Sequence, residues 1–221
     1  MSLKEELTSW VAALEAFNAQ NYQRTLEIFS QMERSAVVST NMALLCTAMG
    51  DHERALRGFT DATAKDPYLT ISYFQRGVSH FLLERYRPAS RDFKRAWLSL
   101  RGHEEINYEQ LGLHFRLFAS EVLFNLGLSR IRLGRMDKGM DYLEKAKRLT
   151  VIEDHDVIED VIRGKGKGYT VFSIVRLLQL PLVIHIYRAL PYTSCRRRVS
   201  CTGRTRRGCR ASSASSSWKM P

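Results

Sequence analysis

Ala55, Phe59 and Ala62 stand at relative positions 0, 4 and 7, and Ala89, Phe93 and Ala96 repeat that spacing 34 residues later. Pro67 follows the first set at position 12, and upstream Ala43 and Gly77 are again 34 residues apart. Positions 0, 4 and 7 fall on one face of an α-helix, because the helix completes a turn every 3.6 residues. A small side chain there lets a neighbouring helix approach closely, and a large one a turn later fills the space beyond the contact. A period of 34 built in this way defines a helix pair that buries its apolar face only by stacking on the next pair.

The same landmarks extend in both directions. "EELTSWVAALEAFNAQNYQRTLEIF" places Ala13, Thr25 and Phe29 at corresponding positions, and "EVLFNLGLSRIRLGRMDKGMDYLEKAKRL" places Gly127, Gly139, Leu143 and Ala146. Gly50 with Asp51, and Gly134 within "LGRMD", read as helix-ending glycines followed by the turn inside a hairpin. This is the tetratricopeptide pattern. The expected fold class is all-α, a superhelix of four helix pairs over residues 1–150, followed by a disordered basic tail. The fourth pair begins near residue 120 where the period would start it at 104, which leaves about 16 additional residues in an insertion at about 101–116, between repeats 3 and 4. Such an insertion is expected to be a loop projecting from one face, free to meet a partner.

Charge divides the chain sharply. Residues 1–163 hold 22 Lys and Arg against 23 Asp and Glu, whereas residues 164–221 hold 12 Lys and Arg and no acid, which accounts for the net charge of +11. The basic character therefore belongs to the tail and says nothing about partners of the folded part. Three of the four cysteines, Cys195, Cys201 and Cys209, are also in the tail, and Cys46 stands alone in the body, an arrangement expected of a reducing compartment. The start, "MSLKEELTSW", has no secretory pattern, and "LLQLPLVIHIY" falls short of the roughly 20 residues that span a bilayer, so a cytoplasmic location is expected.

Four stretches, "YLTISYFQRGVSHFL", "LRGHEEINYEQLGLHFRLFASEVLFNLGL", "VIEDHDVIEDVI" and "GYTVFSI", resemble the N-terminal half of the cytosolic activator subunit of superoxide-generating NADPH oxidases, most closely the fungal NoxR-type regulators. The resemblance covers residues 1 to about 174. It implies a non-catalytic scaffold of four repeats that binds a GTP-loaded Rac-type GTPase through the loops between repeats and is recruited to the membrane through its partners. It also implies that residues 151–174 form an extension packing back into the groove, with Val157, Ile158, Val161 and Ile162 as the apolar side of a helix. The family's contacting arginine and aspartate fall on Arg101 and Asp66, and Tyr68, Gly102, His103, Glu105 and Asn107 occupy further contact positions. His103 stands where the family typically has Asn, and Glu105 and Asn107 replace an apolar residue and an Asp; with acids gained at Glu104 and Glu105 against one lost at 107, the site is expected to be more acidic locally. From the residues alone, Arg101 serves equally as a cation at a helix C-terminus and Asp66 as the start of the next helix.

After "YTVFSI" the family's activation segment, which engages the membrane-bound oxidase, has no counterpart. Residues 175–221 read as a low-complexity basic tail, disordered or translated from a non-native reading frame, with a genuine anion-attracting tail as the competing reading. Action on the oxidase catalytic subunit is then expected to be indirect or impaired. Nucleic-acid stacking is poorly supported, because Trp218 is the one aromatic residue among the last basic clusters. The six histidines are scattered, and "RGKGKGYT" lacks the phosphate-loop pattern, so no catalytic residue, cofactor or metal site is expected. The rival function is a co-chaperone-like adaptor that captures a peptide carboxylate with Asn41 and Arg76.

Overall fold

The computed structural model describes residues 3–108 and 115–174. Within them eight helices form four antiparallel hairpins: α1 (Leu3–Asn18) with α2 (Tyr22–Gln31), α3 (Ala36–Ala48) with α4 (His52–Lys65), α5 (Thr70–Leu82) with α6 (Tyr86–Ser99), and α7 (Ala119–Arg132) with α8 (Met136–Lys147). Residues of the 34-residue pattern lie at the helix contacts. Phe29, Ala55, Phe59, Ala62, Ala89, Phe93, Ala96, Leu143 and Ala146 are all fully buried. A Cβ at Gly77 would stand 2.8 Å from the Phe93 ring, and one at Gly127 would stand 3.0 Å from the Gly139 carbonyl, so glycine sets how closely each hairpin closes.

Every hairpin turns in the same way. In each, one residue takes a left-handed conformation: Gln20 (φ 58°), Gly50 (79°), Glu84 (58°) and Gly134 (74°). The residue after it donates its N–H to a carbonyl five positions back, as from Asn21 to Ala16, Asp51 to Cys46, Arg85 to His80 and Arg135 to Arg130. This satisfies carbonyls that a helix end leaves without partners. The two glycines were legible as helix stops, whereas Gln20 and Glu84 do the same work without the residue type that announces it. Asn21 and Asp51 then accept the N–H groups of Arg24 and Arg54, opening the second helix of their hairpins.

The insertion is not a plain loop. Glu105–Asn107 (β1) pairs antiparallel with Arg116–Phe118 (β2), with Ile106 opposite Leu117. Leu117 and Tyr108 are buried, so the hairpin has an apolar side that packs on the helices. Its backbone and side chains also serve them: the Tyr108 hydroxyl accepts the Ile71 N–H at 3.1 Å, and the Glu104 carbonyl accepts the Ala119 N–H at 2.7 Å. The additional residues thus cap the first helix of both repeats that they separate, and α5, which has no side-chain cap of its own, depends on Tyr108.

After α8 the chain forms a 3-10 turn (Glu153–Asp156) and then α9 (Val157–Arg163), so the helix of the extension occupies only the second half of "VIEDHDVIEDVI". Ile158 and Val161 are fully buried, with Val157 and Ile162 partly so. His155, wholly buried, accepts the Val151 N–H on Nδ1 and lies edge-on to Phe118 and Phe172. The following extended residues cross α7 and reach α5. The Asn125 amide donates to the Phe172 carbonyl and accepts its N–H, at 2.9 and 2.8 Å, and Gln75 Oε1 accepts the Ile174 N–H at 3.4 Å. The expected basic tail, residues 175–221, lies outside the described residues.

Candidate functional site

Two connections between repeats meet at one edge of the array. The first, residues 66–69, leaves α4 at Asp66, whose carboxylate accepts the Tyr68 N–H at 2.9 Å. Asp66 therefore fixes a turn at the end of α4 and does not start α5, whose N-cap is Leu69. That turn presents Tyr68 with 72% of its surface exposed, an unusual position for a ring of that size beside a packed core.

The second connection leaves α6. Arg101 and Gly102 both take left-handed conformations, at φ 52° and 85°. Glycine adopts this freely, but an arginine here carries backbone strain that persists only where neighbouring structure imposes it. The guanidinium of Arg101 lies 5.8 Å from the centre of the Tyr68 ring, within the range of a cation–π contact. Residues from two connections, 33 positions apart, thus form one exposed unit in which Asp66 orders the turn, Tyr68 supplies a face and Arg101 supplies an exposed cation. The position just beyond α6 also suits a cation, because the helix C-terminus carries partial negative charge.

His103 and Glu104 are exposed in the chain that follows, and His103 donates its N–H to the Leu100 carbonyl. Glu105 and Asn107 lie on β1. Glu105 faces Arg116 across the insertion in an ion pair at 3.5 Å. Its additional charge is therefore met by a cation whose proximity the linear spacing did not show. Of the seven candidate residues, the structure joins Asp66 and Arg101 through Tyr68, which each of them contacts, and it places Gly102 and His103 in the exposed turn that follows and Glu105 and Asn107 on β1.

Arg76, one of the residues expected of a carboxylate-capturing adaptor, is committed elsewhere. Its guanidinium grips Asp92 through two hydrogen bonds, at 2.9 and 2.7 Å, and donates to Thr63. Asn41 is buried. The role of Gln75 and Asn125 in holding the extension was missed. A signal existed: Asn41 and Gln75 are 34 residues apart, and Asn125 takes the same place once the insertion is counted. Tyr108 left no such trace, because its partner is a backbone N–H at a distance of 37 residues. Among the described residues no group of three or more His, Cys, Asp and Glu is placed to hold a metal, and no helix is long and apolar enough to cross a membrane.

The repeated hairpins and their shared turns make this a tetratricopeptide-repeat protein, and residues 120–150 match the tetratricopeptide repeat family model. By fold it resembles YrrB, described as a TPR protein with an unusual peptide-binding site, with a TM-score of 0.55, 14% identity and coverage of 69% of this chain and 72% of that one. By sequence it is a homologue of the oxidase activators. It is 31% identical over 168 residues to neutrophil cytosol factor 2 of Bos taurus, covering 76% of this chain and 32% of the relative. It is 36% identical over 146 residues to NADPH oxidase activator 1 of Rattus norvegicus, covering 66% and 33%. The chain spans about a third of the length of these curated relatives.

Proposed function

We propose that this chain is a non-catalytic scaffold that binds a Rac-type GTPase in its GTP form and thereby regulates a superoxide-generating NADPH oxidase. The Arg101–Tyr68–Asp66 unit carries the reading. It is exposed and ordered, and its one unpaired cation is held over an aromatic face. A guanidinium so held loses little freedom on meeting carbonyls or a carboxylate of a partner surface. Gly102 and His103 extend the surface through the turn, Glu105 and Asn107 extend it along β1, and the Glu105–Arg116 pair keeps it near electrical balance. Homology to oxidase activators supports the link to the oxidase.

In this reading the chain acts on the oxidase through the GTPase it holds, so its effect on the catalytic subunit is indirect. Membrane recruitment follows from the partners. The test is binding of the full chain to a Rac-type GTPase loaded with a non-hydrolysable GTP analogue or with GDP. Binding that favours the GTP state at least tenfold is expected, and equal binding of both states, or none, overturns the reading.

A further inference from the structure

A different surface, made of α5 and α6, carries a charge imbalance that GTPase binding does not use. A cleft of about 450 Å³ opens there, with Tyr73, Arg76 and His80 from α5 facing Arg91, Asp92 and Arg95 from α6. Asp92 is the acid of this group, and its charge is consumed by the two-pronged pair with Arg76. Arg91 and Arg95 meet no carboxylate among the described residues. Burial pushes the His80 pKa down, against the pull of Asp92 3.9 Å from its Nε2, and its Nδ1 is buried without a hydrogen-bond partner. Two guanidinium charges are therefore left uncompensated in a concavity. Tyr73 steadies one of them, with its ring centre 5.8 Å from Arg95 and 5.3 Å from Arg76.

We infer that this cleft binds a phosphorylated serine or threonine in an extended segment of a partner protein. Arg91 and Arg95 are one helical turn apart on the same face of α6, close enough for both guanidinium groups to reach one anion. A phosphate ester carries about −1.5 to −2 at neutral pH, which matches two free cations, whereas a carboxylate satisfies one. The same face of α6 continues to Pro88 on one side and to Leu98 on the other, and Leu98 is 57% exposed. Ten residues of helix separate these two, about 15 Å, the length of four to five residues of extended chain. The ligand is thus a peptide with apolar residues about two positions either side of its phosphate, and not a free anion. The site stands whether or not the Arg101 edge binds a GTPase, because the two share no residue.

The test uses the full chain in 0.15 M salt, probed with an array of pentapeptides degenerate around a central phosphoserine, serine or glutamate. Inorganic phosphate and phosphatidylserine vesicles serve as comparison ligands. Phosphoserine peptides with apolar outer residues are expected to bind at least tenfold better than their serine counterparts, and inorganic phosphate is expected to compete with them only weakly. The double substitution Arg91→Gln, Arg95→Gln, at exposed positions where the unfolding temperature should not change, is expected to abolish that preference. Arg206→Gln with Arg207→Gln, which removes the same charge from the basic tail, is expected to leave it intact. Absence of a phosphoserine preference, equal loss in both double variants, or an effect of Arg91 and Arg95 confined to vesicles would each overturn the inference.

Discussion

At one edge of the array each hairpin turns within three residues, 19–21, 49–51, 83–85 and 133–135, closed by the same pair of backbone hydrogen bonds around a left-handed residue. At the other edge the connections run over 32–35, 66–69 and 100–118, and no two are alike. The first edge repeats because it solves a problem common to every hairpin, the unsatisfied carbonyls of a helix end. The second is free to vary once the helices on either side are capped, and there the exposed Arg101–Tyr68 unit is built. Regularity along the chain therefore marks what holds the fold, and departures from it mark where a partner can be distinguished.

The largest expected effect falls on the repeated part. Gly77→Leu drives a side chain into the Phe93 ring, which a Cβ alone would approach to 2.8 Å, and should cost about 3 kcal/mol by overpacking, read as a lowered unfolding temperature. An unchanged unfolding temperature would mean that glycine is not needed for the close approach. Next comes the irregular edge, where Tyr108→Phe leaves the Ile71 N–H buried without its acceptor. A loss of about 1–2 kcal/mol in urea unfolding is expected, and a neutral result would make the insertion a bystander.

A finer contrast sets Glu84→Gly beside Arg101→Gly. Both relieve a left-handed conformation at a residue with a side chain, so each should stabilise by about 0.5 kcal/mol after the greater flexibility of glycine in the unfolded chain is offset. Only the second should weaken GTPase binding, and equal effects on binding would erase the distinction between the edges.

The smallest effect is on pH dependence. Burial holds His52, at the start of α4, and His80, near the end of α5, below the ordinary histidine pKa. The unfolded chain takes up protons first as pH falls below about 6.5, so the stability these two groups contribute is present above that value and is lost on acidification towards their folded pKa. The unfolding temperature should decline between pH 7 and 5.5, with the decline flattened in the variant His52→Gln, His80→Gln. A slope unaltered by that change would assign the pH dependence elsewhere.

Much of the fold is legible in the sequence, for specific reasons. Ala55, Phe59 and Ala62 revealed their helix because contact between stacked hairpins requires small and large residues at fixed intervals, and Gly50 and Gly134 revealed their turns because glycine favours the left-handed region. The β-hairpin of the insertion was not legible, since its described strands are three residues each and its hold on the fold is one hydroxyl and one carbonyl directed at distant N–H groups. The resemblance placed Arg101 and Asp66 at the candidate site, but only the folded chain shows Tyr68 between them, or Arg116 against Glu105. Contacts between residues far apart in sequence leave no periodic trace.

The most direct test of the central claim is the affinity of the full chain for a GTP-loaded Rac-type GTPase, measured by calorimetry for the unaltered protein and for Arg101→Glu, with the unfolding temperature taken on the same samples. A loss of at least tenfold in affinity, with unfolding unchanged, is the outcome expected if the variable edge is the binding surface and the regular repeats are its support. Equal affinity for both proteins would contradict that account and return Arg101 to a purely local role at the end of α6.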